Sequence, residues 1–526
     1  MKKCFALTLV AMLIFSLTSC RLSLLPLDIL SVLTEQIDDE SKSAVDTDRE
    51  TESAEEVSDS ESESVEDVSE TESEVVTESE DVTESETETD TEPECFESET
   101  EIDTELESDI DSGTEDEEDT ESEAQTEEKR EPITIETIKG IVGVGAESFA
   151  VGEDRYDIDC TAYRLTKVTL NEYSRILYAL VDENMKLYAD NGISGIDGVC
   201  FQSTLYDEAY TVNLTFYSRT GELYLTVEAY RSLSEYQIAP SSIVGGTKTT
   251  FHMPEMPTVY GEYKFGECEI FQLSNGHFVI VDGAQEFSAA PTVEYLESLT
   301  LDGVMPVVDA WFLTHAHPDH AYCVWGIGID SDLVGRIVVE GFYYTLPDDE
   351  GMRKEPDYDD LMIQISNVRE ALGNFKNSRG ETTPQYKLHG GMRFYFSELE
   401  VQVLFTQDQI RPDEYGNKLN DTSTSFKFIV HTEAKNDTTF LIMGDASEAI
   451  CKKLMKMYEA DTLHTTYFQS LHHGNNDCIE FFRYIQPEYL NYTHKSDEKG
   501  RNKMGYKYLA LTCKGVNYSP TVIEIK

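Results

Sequence analysis

Val307-Val308-Asp309-Ala310-Trp311-Phe312-Leu313-Thr314-His315-Ala316-His317-Pro318-Asp319-His320 runs an apolar segment straight into three imidazoles and a carboxylate. The first seven residues have the length and composition of a buried strand. Imidazole and carboxylate are the side chains that suit zinc and similar divalent ions. His315 and His317 alternate along an extended segment, so both rings can face one side. Asp319 and His320 follow a proline-marked turn and can address a second position. One short loop thus offers ligands for two ions. Each ion needs more, because three protein ligands are usual at a catalytic metal.

Two downstream segments can complete the set. Phe440-Leu441-Ile442-Met443-Gly444-Asp445 ends an apolar strand in a glycine that permits a sharp turn and a carboxylate at the strand tip. Its two oxygens can bridge two ions. Ser470-Leu471-His472-His473-Gly474 again places imidazoles at a strand end. Upstream, the hairpin Glu269–Leu273, Ser274-Asn275-Gly276, His277–Val281 runs into Asp282-Gly283, with Asn-Gly as its turn. Asp282 reads as a carboxylate that holds the histidine loop by hydrogen bonds. Cys323 reads as a small buried core residue, and Trp325, Tyr343 and Tyr344 as core or cleft aromatics.

The order Asp282-Gly283, His-X-His-X-Asp-His, Gly444-Asp445, His472-His473-Gly474 resembles the metallo-β-lactamase superfamily. It is most similar to the branch that contains the metallo-hydrolase domain of the bacterial competence DNA-uptake protein. Asn420-Asp421-Thr422-Ser423 resembles that branch's Asn-X-X-Ser element, making Asn420 and Ser423 substrate or supporting residues. The resemblance implies an α/β fold: a four-layer αββα sandwich with a dinuclear site between its sheets. It gives metal roles to His315, His317, Asp319, His320, Asp445 and His473, and substrate contact to His472. Two divalent ions are implied, Zn2+ first and Mn2+ as the alternative. The superfamily often has another histidine between the first cluster and the bridging aspartate. Here only His389 and His431 lie in that interval, neither in the expected context. The branch's closing element is kept only in part, at Asn502-Lys503-Met504-Gly505-Tyr506.

Composition divides the rest of the chain. Residues 1–131 carry 46 acidic and 7 basic side chains, and the remainder 57 and 33. Most of the net charge of −63 therefore belongs to the N-terminal quarter. Within it, 21–131 is an acidic Ser/Thr/Glu-rich linker. A segment with so little apolar surface cannot offset its ordering entropy. A coil of that kind would span roughly 50–60 Å or more. The acidic balance disfavours a stable nucleic-acid partner. Lys2-Lys3, the apolar stretch Phe5–Leu17 and Leu17-Thr18-Ser19-Cys20 resemble a bacterial lipoprotein signal over 1–20, with Cys20 the lipidated residue. That places the protein at the outer face of the cytoplasmic membrane, lipid-anchored and reaching into the cell wall.

Residues 133–245 read as an α+β accessory domain without a catalytic constellation: a strand over Thr161–Val168, a helix over Leu170–Asp190, and the hairpin Tyr210–Tyr217/Glu222–Tyr230. Cys160 and Cys200, inside it, are the pair best placed for a disulfide. Ser241-Ser242, Gly245-Gly246, Pro254 and Pro257 mark a linker, and 258–526 reads as the hydrolase domain. The expectation is an exported, tethered, metal-dependent hydrolase that cleaves phosphodiesters through a hydroxide activated between two ions, with Asp319 orienting it. Lactam, lactone or thioester hydrolysis is the alternative. So is a wall-associated binding protein with a degenerate metal site.

Overall fold

The computed structural model describes residues 133–143, 147–153, 159–187, 196–230, 248–255, 266–346, 358–407, 419–432, 436–493 and 503–525. The signal with Cys20, the acidic linker, Asn502 and most of the Ser/Gly linker lie outside them. Among the described residues no helix is long and apolar enough to cross a membrane.

The N-terminal unit is an antiparallel sheet with two helices. Its strands are β1 (Glu147–Glu153), β2 (Asp159–Leu165), β3 (Lys186–Leu187), β4 (Cys200–Tyr206), β5 (Tyr210–Tyr217) and β6 (Glu222–Ala229), in the order β1-β2-β6-β5-β4-β3. Helices α1 (Ile135–Val142) and α2 (Leu170–Asp182) cover one face through Ile138, Ile176, Leu177 and Leu180. A capping box between Thr169 and Glu172 starts α2 by satisfying two free backbone donors. The helix ends at Asp182, short of the expected Asp190. The proposed disulfide does not form. β6 and β5 separate Cys160 on β2 from Cys200 on β4 by about 14 Å across the sheet, and the register sets Cys160 level with the Tyr206 end of β4, so the two lie beyond the reach of one bridge. Cys200 is a free, buried thiol.

Two further sheets form the sandwich. The first holds β7 (Thr250–Met253), β8 (Cys268–Gln272), β9 (Phe278–Asp282), β10 (Val307–Leu313), β11 (Val338–Val339), β12 (Phe342–Tyr344) and β13 (Gln385–Lys387). The second holds β14 (Arg393–Phe396), β15 (Leu399–Phe405), β16 (Ser425–Val430), β17 (Thr438–Ile442), β18 (Tyr467–Gln469), β19 (Tyr489–Tyr492) and β20 (Gly515–Tyr518). The last strand, β21 (Thr521–Glu524), returns to the first sheet beside β7. β7 precedes residue 258, so the sandwich takes a strand from the stretch read as linker. Both sheets mix antiparallel hairpins with parallel strands; β9, β10, β12 and β13 run parallel, as do β17 to β20.

Aromatic side chains fill the space between the sheets. Phe312 of β10 lies 5.3 Å from Phe426 and 5.8 Å from Phe428, ring centre to ring centre. Phe271 meets Phe428 at 5.0 Å and Phe440 at 5.1 Å. Side chains on a strand alternate between faces. Trp311 and Leu313 therefore point outward, onto α3 (Ala289–Ser298), α4 (Pro318–Ile329) and α5 (Tyr358–Leu372). On the other side α6 (Glu448–Met457), α7 (Ile479–Ile485) and α8 (Met504–Thr512) bury Leu454, Phe482 and Leu509 against Leu441, Phe468 and Leu490. The layers are thus helix, sheet, sheet, helix, as expected.

The free face of the accessory sheet packs on this sandwich. Tyr217 donates to the Leu404 carbonyl at 3.1 Å and Thr215 to the Gly390 carbonyl at 2.8 Å. Buried Glu228 faces Lys387 at 3.4 Å and His389 at 3.3 Å. A side chain on Gly390 would collide with the Tyr217 hydroxyl.

His252 on β7 is buried between the Thr250 hydroxyl and the Tyr295 phenol. Burial lowers its pKa from 6.5 to about 4. Between those values the unfolded chain takes up the proton first, so this contribution is present above pH 6.5 and is lost as pH falls toward 4. Denaturant midpoints at pH 7 and pH 5 should therefore differ less in His252→Gln than in the native chain.

Candidate metal centre

The site lies where β9, β10, β17 and β18 end, at one rim of the sandwich. β10 delivers Thr314 and His315, and the chain enters α4 at His317, with Pro318 as its first residue. Pro318 suits that position because its missing N–H is not needed there. Asp319 and His320 thus stand in the first turn of a 12-residue helix, not in a loop after a turn. The helix is missed in sequence because its apolar residues run all round it. The helix dipole also favours the Asp319 carboxylate at this end.

Asp282 organises the histidines. It is wholly buried, and its Oδ1 accepts the Thr314 N–H at 2.8 Å. Its Oδ2 accepts the Thr314 hydroxyl at 2.7 Å and the His320 Nδ1–H at 2.8 Å. With its own proton committed, the Thr314 hydroxyl accepts from His315 Nδ1 at 3.1 Å. One carboxylate therefore fixes the tautomers of both rings, leaving Nε2 of each with its lone pair turned inward.

Those lone pairs meet Asp445. His320 Nε2 is 3.1 Å from Asp445 Oδ1 without hydrogen-bond geometry, and neither atom makes another hydrogen bond among the described residues. His473 Nε2 is 3.7 Å from the same oxygen and 3.1 Å from Asp319 Oδ2. His315 Nε2 is 3.8 Å and His472 Nε2 3.4 Å from the other oxygen, Oδ2. His315 Nε2 also stands 3.0 Å from His317 Nδ1. Asp445 thus turns one oxygen to each of two clusters: His315 and His317 on one side, His320 and His473 on the other.

Each strand tip is shaped for this. Gly444 has φ +51°, and a side chain there would lie 2.6 Å from Thr314 Oγ1. The Asp445 N–H donates to Ser423 at 3.2 Å, and Asn476 donates to the Asp445 carbonyl at 3.1 Å. His472 and His473 both adopt left-handed backbone, φ +50° and +51°. That conformation costs roughly 1–2 kcal/mol per residue outside glycine, and it aims two adjacent rings into one site. Asn420 Nδ2 donates to His472 Nδ1 at 3.4 Å. The proton of His472 is thereby placed on Nε2, so this ring presents a donor where His315 and His320 present lone pairs.

Electrostatics fit a cation. Burial and the neighbouring His320 push His315 well below the usual histidine range, and burial lowers His317 and His472. These rings are neutral, the form that binds metal. Burial opposes charge on His320, yet Asp445 and Asp282 raise it well above its ordinary value, so its Nε2 lone pair would become available as a bound cation replaced the second ring proton. Burial works against ionised Asp445, but His320 and His473 hold it well below the carboxylate range. His473 and His320 likewise hold down Asp319 against burial. Among the described residues no lysine or arginine pairs with Asp282, Asp319 or Asp445. The donor set, oriented lone pairs and lack of a protein cation suit divalent metal.

The residues singled out in sequence thus converge, except where context had already argued against it. His389 faces Glu228 at the accessory interface, and His431 lies between Glu400 and Asp437 at 3.1 Å from each. Cys323 is buried and donates to Thr292. Tyr343 and Tyr344 are core, and Trp325 packs on Tyr322. Sequence reading missed Glu267, whose carboxylate lies with His320, Asp445 and His473 in one group of donor atoms within 4.8 Å of each other. Only its polar character beside apolar β8 could have signalled it.

No family model and no curated protein matches the chain. Solved structures do. Unliganded yeast PDE1 matches at 10% identity and a TM-score of 0.32, over 53% of this chain and 100% of that one. Zn(2+)-bound PqqB from Methylobacterium extorquens matches at 7% identity and 0.33, over 53% and 100%. The metallo-β-lactamase MIM-1 from Novosphingobium pentaromativorans matches at 14% identity and 0.20, over 34% and 55%. The fold is a four-layer αββα sandwich on the strand order and helix layers above. Roles for single residues rest on the geometry above.

Gly444→Ala should destabilise the protein by about 1–3 kcal/mol, through strain at positive φ and the clash with Thr314. Denaturant unfolding beside Gly335→Ala, a helix-end control at φ −76°, checks this.

Proposed function

We propose that the chain is an exported, membrane-tethered, metal-dependent hydrolase that acts on phosphodiester bonds. The observation that supports it best is the division of Asp445, one oxygen to each of two imidazole clusters. That arrangement suits a pair of divalent ions. His315 and His317 would hold the first with Asp445 Oδ2. Asp319, His320 and His473 would hold the second with Asp445 Oδ1. Ions so held would supply Lewis-acid polarisation of a phosphoryl oxygen and hydroxide near neutral pH.

The chain's own groups do the rest. Asp319, ionised and a quarter exposed at its side chain, faces the cleft and can orient the attacking water. His472, 32% exposed at its side chain, offers its Nε2–H to charge that develops on the substrate oxygen. Asn420 keeps that proton on Nε2, and Asp282 keeps the lone pairs of His315 and His320 turned inward. Phosphodiester chemistry is favoured because paired ions stabilise both the attacking and leaving oxygens of an in-line displacement. The export reading rests on Lys2-Lys3, the apolar stretch after it and Leu17-Thr18-Ser19-Cys20.

His317→Ala should lose about one equivalent of metal and slow turnover of bis(p-nitrophenyl)phosphate by at least about tenfold to a hundredfold. Metal analysis and steady-state assays test both parts. A native protein without bound metal, or turnover untouched by the substitution, defeats the hydrolase reading. Turnover of a lactam or thioester instead of the diester redirects the substrate class. Separately, Cys20→Ala should move the protein from the membrane fraction to the soluble fraction in a bacterial host that lipidates exported proteins.

A further inference from the structure

Glu267 and Glu269 flank Cys268 at the start of β8. Cys268 and Ile270 pack outward against the helices, whereas Phe271 lies between the sheets. By strand alternation, Glu267 and Glu269 share the inner face with Phe271. Both are fully buried, and among the described residues no N–H or hydroxyl donates to any of their four oxygens. A buried carboxylate left so costs several kcal/mol unless it is protonated or meets a cation. No lysine or arginine among the described residues pairs with either.

Backbone hydrogen bonds fix where Glu267 stands. Its N–H donates to the Asp319 carbonyl at 3.0 Å, and its carbonyl accepts the Ala284 N–H at 2.8 Å. Glu267 is thereby tied to both loops that build the site. Its Oε2 lies 3.9 Å from His320 Nδ1, and its carboxylate falls within 4.8 Å of donor atoms on His320, Asp445 and His473. Glu269 stands behind it. Burial raises both carboxyls above their ordinary range, Glu269 to about 8, and position alone distinguishes them, because Glu267 is the one that stands with the donor atoms of His320, Asp445 and His473.

We propose that Glu267 is a further ligand of the second ion and makes that position select Mn2+ over Zn2+. This rests on the metal-centre reading above and refines it. With Glu267 the second position carries the carboxylates of Asp319, Asp445 and Glu267 beside the imidazoles of His320 and His473. The first carries His315 and His317 with one Asp445 oxygen. An oxygen-rich, higher-coordinate set suits a hard ion, and a nitrogen-rich, low-coordinate set suits zinc. The protein should therefore bind unlike ions at its two positions.

The test uses the full chain stripped with chelator and then reloaded with MnCl2, ZnCl2 or an equimolar mixture. Bound metal is measured after gel filtration, and Tm is followed for each sample. Native protein should retain one equivalent each of manganese and zinc from the mixture, and each ion should raise Tm. Glu267→Gln should lose the manganese equivalent and its Tm increment while keeping one zinc. Glu267→Asp, which keeps the charge, should retain manganese with at least about tenfold weaker binding and covers the case in which the glutamine variant misfolds. Two equivalents with unchanged manganese preference in the folded glutamine variant would overturn the proposal and leave Glu267 as packing beside His320. Native protein that binds neither ion would instead remove the metal centre itself, and Asp445→Asn, expected to lose both ions, separates the two failures.

Discussion

The carboxylate of Asp282 is the constraint on which the site depends. It sits where β9 ends, in left-handed backbone at φ +55°, with its own carbonyl accepting from the Trp311 indole at 2.7 Å. From there it receives the Thr314 N–H, the Thr314 hydroxyl and the His320 ring. Two of these bonds tie β9 to the end of β10 and the third ties it to α4. Through Thr314 it also orients His315. Were Asp282 absent, both rings could flip or change tautomer, and the inward lone pairs would no longer be specified. The interior enforces this because an unmade hydrogen bond there costs about 1–3 kcal/mol.

That constraint works only because the sandwich brings the strand tips together. Phe312 fixes β10 against β16, so the register of the aromatic layer sets where Thr314 and His315 emerge. The Thr424 N–H bonds the Thr314 carbonyl at 2.9 Å across the two sheets. Gly444 fits against Thr314 with no room for a side chain, and Ser423 takes the next N–H. The same threonine thus touches the bridging aspartate's turn on one side and the orienting aspartate on the other. Core packing and site geometry are one network, and strain at His472 and His473 is tolerated because both ends of that turn are fixed. Leu471 is buried in the core, and Asn476 grips the Asp445 turn.

Much of this was legible in the chain. The strand before the histidines, the Asn-Gly hairpin, the Gly-Asp strand end and the double histidine all have local signatures, and a sandwich follows from their order. The short strands β12, β13 and β19 were not legible, because three or four residues give no period to read. Helix α4 was hidden by its uniformly apolar composition, since helix and buried strand look alike without periodicity. Non-local facts were out of reach altogether. Nothing near His389 says that it faces Glu228 across the accessory interface, and nothing near Glu267 says that its strand ends beneath His320.

Charge accounts for why Glu267 belongs to the chemistry and not to the scaffold. A core position that needed only packing would carry valine or leucine, which would remove an uncompensated carboxyl. Glu267, Glu269, Asp282, Asp319 and Asp445 are instead gathered around five histidines, with no lysine or arginine paired to them among the described residues. Burial favours the neutral form of Glu267 and Glu269, while Asp319 and Asp445 stay ionised beside His320 and His473. A group of this composition has the donors to hold a cation from outside. Hydrogen bonds with Thr314, Ser423 and the His320 ring hold Asp282 and Asp445 in place, so the donor atoms of this buried cluster are ordered before any ion arrives.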